Sequence, residues 1–155
     1  MDAHLYIVTG ASRGLGRATA EQLSASGATV LGLSRQAPSA VFEQWPCDLA
    51  DPVPVAQRLG AWLGGFDATR FASASLINNA AMLTEPTPLA DADLAALSQA
   101  ARVGLEAPLV LTAAFLRATR EWTSQRRVLH ISSGLGRRGM ASSGPYCAVK
   151  AGLDN

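Results

Sequence analysis

The sequence predicts an α/β fold, a doubly wound parallel sheet, on three observations. Strand-like apolar runs alternate with helical stretches along the chain. Leu5-Tyr6-Ile7-Val8, Leu76-Ile77 and Val128-Leu129-His130-Ile131 are nearly continuous in apolar character, as strands covered on both faces are. A glycine-rich turn lies between the first such run and the first helical stretch.

In chain order, residues 4–9 form the first expected strand and residues 15–26 the first helix, which Gly27 stops. Strands follow at 29–34 and, more weakly, at 41–46; Pro52 suits the first turn of a helix over 52–63. Residues 75–78 read as a strand, 92–101 and 105–122 as helices, 127–132 as a fifth strand, and a last helix starts near Gly144. Right-handed crossovers join these into one sheet. The sequence stops a turn or two into that last helix, which would leave the fifth strand an unpaired apolar edge. The expectation is a domain over 1–155 cut short after the fifth strand.

Composition narrows the function. The 155 residues are 48% hydrophobic and 16% charged, with net charge +1, as in one globular domain with an ample core. Near-neutral charge gives no general field for nucleic acid or an anionic membrane, so an anion must be held locally. The longest apolar run, residues 107–116, is about half a membrane span. Residues 1–10 read as a strand and not as a signal peptide. Cys47 and Cys147, far apart in sequence, suit small core positions in a reducing cytoplasm.

Thr9-Gly10-Ala11-Ser12-Arg13-Gly14-Leu15-Gly16 follows the first strand and opens the first helix. Glycines there permit a tight turn and close approach of backbone to a pyrophosphate, and the helix N-terminus offers free N–H groups to an anion. The loop and four later motifs resemble the short-chain dehydrogenase/reductase family, whose fold is Rossmann-like and which binds NAD(H) or NADP(H). The family's TGxxxGxG is met in full at Thr9 to Gly16, with Ser12, Arg13 and Leu15 inside it. Its Asp-Leu pair beside adenine appears as Asp48-Leu49, and its Asn-Asn-Ala-Gly as Asn78-Asn79-Ala80-Ala81. Its serine after the fifth strand matches Ser133, and its Tyr-x-x-x-Lys matches Tyr146 and Lys150. The resemblance covers the whole chain, and members usually continue for roughly another hundred residues.

The second strand ends Leu33-Ser34-Arg35-Gln36. A carboxylate at that end would accept from the adenosine ribose and repel a 2′-phosphate, and none is present. Arg35 and Arg13 can instead give bidentate, charge-assisted bonds to one phosphate. Two solvated arginines are the plainer alternative; the resemblance associates this pattern with NADP(H), the expected cofactor.

Lys150 is the only lysine and Tyr146 one of two tyrosines, and at spacing four they share one helical face. A cation beside a phenol favours its ionised form. The resemblance implies that Tyr146 exchanges the proton with the substrate oxygen. It likewise implies that Lys150 assists and holds the nicotinamide ribose, while Ser133 donates to the carbonyl. One departure stands out: the family's helix asparagine, part of its proton relay, is replaced by Gly104.

His4 and His130 lie in strand patterns with no ligand-spaced partner, so no metal is expected. Trp45, Trp62 and Trp122 are scattered and read as packing. Arg126-Arg127 and Arg137-Arg138 read as solvated pairs, the latter also compatible with an acidic substrate. A faint likeness to sepiapterin and benzil reductases spans Tyr146 to Asp154. The expectation is an NADP(H)-dependent carbonyl reductase acting on a small carbonyl or alcohol, without nucleic acid or membrane. A homodimer or tetramer is expected only of a longer chain. The alternatives are a non-catalytic NADP(H)-binding sensor and an inactive fragment.

Overall fold

The computed structural model describes residues 3–36 and 40–155; Met1, Asp2 and residues 37–39 lie outside the described residues, the first two with the part of the 1–10 reading that covers them. Five strands, β1 (His4–Thr9), β2 (Thr29–Ser34), β3 (Glu43–Pro46), β4 (Ser73–Asn78) and β5 (Gln125–His130), form one parallel sheet in the order β3-β2-β1-β4-β5. The helices are α1 (Gly14–Ala25), α2 (Pro52–Gly64), α3 (Leu94–Ala101), α4 (Ala107–Ala118) and α5 (Gly144–Asp154). The strand order reverses between β1 and β4, and the crevice at such a switch point is where these sheets bind ligands.

The strands' two-residue period sorts the core onto both faces. Leu5, Ile7, Leu31, Leu33, Ala74 and Leu76 meet Leu59 and Leu63 of α2 and Leu111 and Phe115 of α4. Val8, Val30 and Ile77 turn the other way, toward Ala11 and Ala20 of the α1 side. Ser34 and Gly32, in step with Val30, therefore belong to the α1 face.

β1 and β2 have the expected bounds. β3 starts at Glu43 instead of residue 41, because only Glu43 to Pro46 come opposite Leu31 to Ser34. β4 begins two residues early, at Ser73, whose hydroxyl lies 2.8 Å from His4 Nδ1; a short polar side chain there is buried by its partner and not by its own character. β5 runs over Gln125–His130 and not 127–132, its register set by Ser73 opposite Gln125. It is also less covered than its apolar run suggests: Leu129 is 52% exposed, since the sheet order puts β5 at the margin of the described strands.

The helix expected over 105–122 is corrected. A π turn, Arg102–Glu106, joins α3 to α4 in one rod ending at Ala118, where the Thr119 hydroxyl donates to Phe115 O at 2.8 Å. Pro108 has no N–H for the Gly104 carbonyl and its ring crowds that position, so the wider turn falls where the conflict falls. The 25-residue rod Leu94–Ala118 is long and apolar enough to cross a membrane by length and composition. Its buried stripe of Ala100, Gly104, Ala107, Leu111 and Phe115 packs into the protein's own interior.

The tryptophans are not scattered in space. Trp45, Trp62 and Trp122 converge with Phe66 and Phe71 through four edge-to-face contacts and one stacked pair, Phe71–Trp122, with Trp62 and Phe66 centroids 4.8 Å apart. They close the α2 face of the core, the packing role read from the sequence.

Candidate active site

A cleft of about 900 Å³ runs along the carboxyl ends of the strands at the switch point. The turn after β1 supplies Gly10, Ser12, Arg13, Gly14, Leu15 and Gly16. Gly10 and Gly14 hold φ of 70° and 55°, a region that side chains strain. A Cβ on Gly16 would stand 2.4 Å from both Gly10 O and Asn79 Nδ2, so only glycine lets α1 approach the end of β1. No side chain caps α1 at Arg13, which leaves the N–H groups of its first turn without a capping partner.

The far side of this turn is pinned by Thr9 and Asn79. The amides of Asn79 and Ala80 both donate to Thr9 Oγ1 at 2.9 Å, and Asn79 Nδ2 donates to Thr9 O at 2.9 Å. Asn79 and Ala80 line the cleft, but the Asn79 amide is committed to holding the loop.

At one end the cleft reaches Ser34, the last residue of β2, Arg35 after it, and Asp48 and Leu49 after β3. Arg13 and Arg35 are both exposed, and neither donates a hydrogen bond or forms an ion pair among those described. Cys47 stands there too, its thiol pKa pushed up by burial and partly held back by the Arg58 cation. At the other end Tyr146 enters from α5.

Neither Lys150 nor Ser133 is in the cleft wall. Lys150 is 2% exposed, with Nζ donating to Ile131 O at 2.6 Å and lying 5.6 Å from the centroid of the Tyr146 ring. Burial lowers its pKa, and the Asp154 carboxylate one turn on opposes that shift. Ser133 Oγ accepts from the Leu135 amide at 3.2 Å, so the hydroxyl keeps its own proton for another acceptor. His130 is held in the Asn78–Thr112 cluster, its Nδ1 3.3 Å from Asn78 Nδ2; burial first, then the Lys150 charge, lowers its pKa. Among the described residues no group of three His, Cys, Asp or Glu could hold a metal.

The short chain dehydrogenase family model matches residues 4–155. The chain belongs to the short-chain dehydrogenase family. It is 33% identical over 153 residues to benzil reductase ((S)-benzoin forming) of Bacillus subtilis (strain 168), covering 97% of this chain and 63% of that one. It is 29% identical to human L-xylulose reductase, covering 96% of this chain and 60% of the relative. A short-chain dehydrogenase/reductase structure from Burkholderia vietnamiensis is 36% identical with TM-score 0.82, over 97% of this chain and 73% of that chain. A metagenomic short-chain oxidoreductase solved in complex with NADP is 30% identical with TM-score 0.80, over 97% and 70%. The chain thus spans somewhat under two thirds of the curated relatives it matches.

In this member of the short-chain dehydrogenase family, the place that the resemblance expects to hold an asparagine is Gly104. The residue is buried in the π turn, and a Cβ there would meet Val149 Cγ1 at 2.4 Å. Val149, beside Lys150, fills the space that a side chain at 104 would need. Other cleft residues were not singled out from the sequence: Met82, Leu83, Gln99 and Val103. They lie in loops and on the α3 rod, where only the tertiary fold shows which way they face.

Proposed function

We propose that residues 1–155 form the cofactor-binding and catalytic part of an NADP(H)-dependent oxidoreductase that interconverts a small carbonyl compound and its alcohol, chiefly as a carbonyl reductase. The observation that carries the cofactor is the end of β2: Ser34 and Arg35 stand there without a carboxylate, and Arg13 reaches the same cleft. The donor set fits a dinucleotide phosphate. Uncapped α1 amides and Ser12 suit the pyrophosphate, while the two guanidiniums suit a 2′-phosphate. Asp48 and Leu49 flank the adenine end, and Tyr146 with Lys150 the nicotinamide end. The metagenomic relative bound to NADP and the two reductases support the same reading.

When bound, the nicotinamide supplies or accepts the hydride. The protein's part is proton handling and polarisation. Tyr146 donates its hydroxyl proton to the substrate oxygen as the carbonyl is reduced, and takes it back in oxidation. Ser133, with its Oγ already accepting from Leu135, donates to the same oxygen and stabilises its developing charge. Lys150, held on Ile131 O behind the tyrosine ring, favours the phenolate that remains and holds the ribose. The half-buried, free Cys47 and Cys147 fit a reducing cytoplasm.

A second reading, a protein that binds NADP(H) without useful turnover, is favoured by one observation: Val149 fills the place of the family's relay asparagine. Tyr146→Phe separates the two. On the catalytic reading the variant keeps NADPH binding and loses nearly all carbonyl-dependent NADPH oxidation. Activity that survives the change overturns the acid–base assignment, and a wild-type chain that binds NADPH with no oxidation supports the second reading.

A further inference from the structure

Gln44 lies on β3, directly opposite Gly32 of β2, and is only 8% exposed. The missing side chain at Gly32 gives it a path along the sheet: a Cβ at 32 would stand 2.7 Å from Phe42 and 3.4 Å from Gln44 Cγ. Over that gap the Gln44 amide reaches Ser34, the residue at the adenosine end of the cleft.

The identity of the reaching atom follows from its second partner. Gln44 Nε2 also donates to the backbone carbonyl of Gln36 at 3.3 Å, and a carbonyl can only accept. The amide nitrogen therefore faces this corner, and with respect to Gln44 the Ser34 hydroxyl must be the acceptor. A hydroxyl has one proton. With its oxygen engaged from behind by a donor, Ser34 is left with its O–H to direct into the cleft.

We infer that Gln44 is a positioning residue for cofactor selection: it holds Ser34 as a hydrogen-bond donor toward the 2′-substituent of the adenosine ribose, and so favours a phosphate there. The inference rests on the NADP(H) reading above. A phosphate offers only acceptors at neutral pH and gains from the donor, whereas a free 2′-hydroxyl can donate to or accept from Ser34 and gains little from the constraint. The carboxylate in Gln44→Glu reverses the polarity. It takes the Ser34 proton for itself and leaves only lone pairs facing the cleft, which oppose a phosphate and accept from a 2′-hydroxyl.

The test is a fluorescence titration of the chain with NADPH and with NADH, for wild type, Gln44→Glu, Ser34→Ala and the double variant, each checked by a thermal melt. The expected result is wild-type preference for NADPH, cut by about tenfold or more in Gln44→Glu with NADH affinity held within about twofold. That loss shrinks in the Ser34→Ala background, because the effect passes through the hydroxyl. An equal loss in both backgrounds is a carboxylate acting at a distance and overturns the inference, as does an unchanged NADPH-to-NADH ratio. Wild-type protein without NADPH preference overturns the cofactor reading, and this inference with it. Should Gln44→Glu fail to fold, Gln44→Met decides: selective loss of NADPH supports the role of Gln44, and equal loss of both cofactors overturns it.

Discussion

Gly104 and Val149 compete for one volume: a Cβ on the glycine would lie 2.4 Å from Val149 Cγ1, far inside van der Waals contact. Val149 neighbours Lys150 and follows Tyr146 by three residues on α5. The π turn of the α3–α4 rod and the helix bearing the proposed acid–base pair are therefore packed through this contact, and neither side chain can grow without moving the other.

Gly104→Asn is accordingly expected to destabilise the chain by roughly 1–3 kcal/mol, the range for overpacking. Val149→Ala in the same chain makes room and returns most of that loss, with a coupling above about 0.5 kcal/mol. Denaturant melts of the two single variants and the double variant measure it. Losses that simply add would show that the residues do not share the space.

Lys150 gives a pH dependence of definite sign. Burial lowers its folded-state pKa below the usual lysine value of 10.5, the Asp154 carboxylate opposing. Between the lowered pKa and 10.5 the unfolded chain binds more protons than the folded one, so this group adds stability as pH rises through that window. Lys150→Met removes the cost of burying the cation. Its stability relative to wild type is expected to fall as pH climbs toward 10.5, which melts at several pH values above neutrality check. A difference that stays constant across the window contradicts the burial effect.

Arg35→Asp replaces a cation at the proposed adenosine end with the carboxylate that a 2′-phosphate cannot tolerate. NADPH affinity is expected to drop by at least about tenfold, the worth of one hydrogen bond to a charged group, with NADH affinity held or improved. Isothermal titration with both cofactors reads the difference; equal weakening of the two removes Arg35 from phosphate recognition.

Much of the fold is legible locally. The bounds of β1 and β2 follow from apolar runs closed by Thr9-Gly10 and by Ser34-Arg35, and the glycine turn carries its own conformational demands at Gly10, Gly14 and Gly16. What is not legible depends on partners distant in sequence. Ser73 and Ala74 belong to β4 because His4 and Leu5 lie beside them, not because of their own character. The π turn reflects Pro108 meeting the Gly104 carbonyl while Val149 closes on the same glycine. The separated tryptophans form one cluster only once α2 lies across the sheet. At the candidate site, the lining residues of the glycine loop, Ser34, Arg35 and Tyr146 come together from motif positions. Gln44 has no local signal, since its reach to Ser34 exists only in the β2–β3 register.

The proposed adenosine-phosphate site of Ser34, Arg13 and Arg35, in the cleft that ends at Tyr146, is put to the test by titrating this 155-residue chain with NADPH and NADH side by side. The expected result is saturable NADPH binding at least about tenfold tighter than NADH. Equal affinity for the two, or tighter NADH, would contradict it.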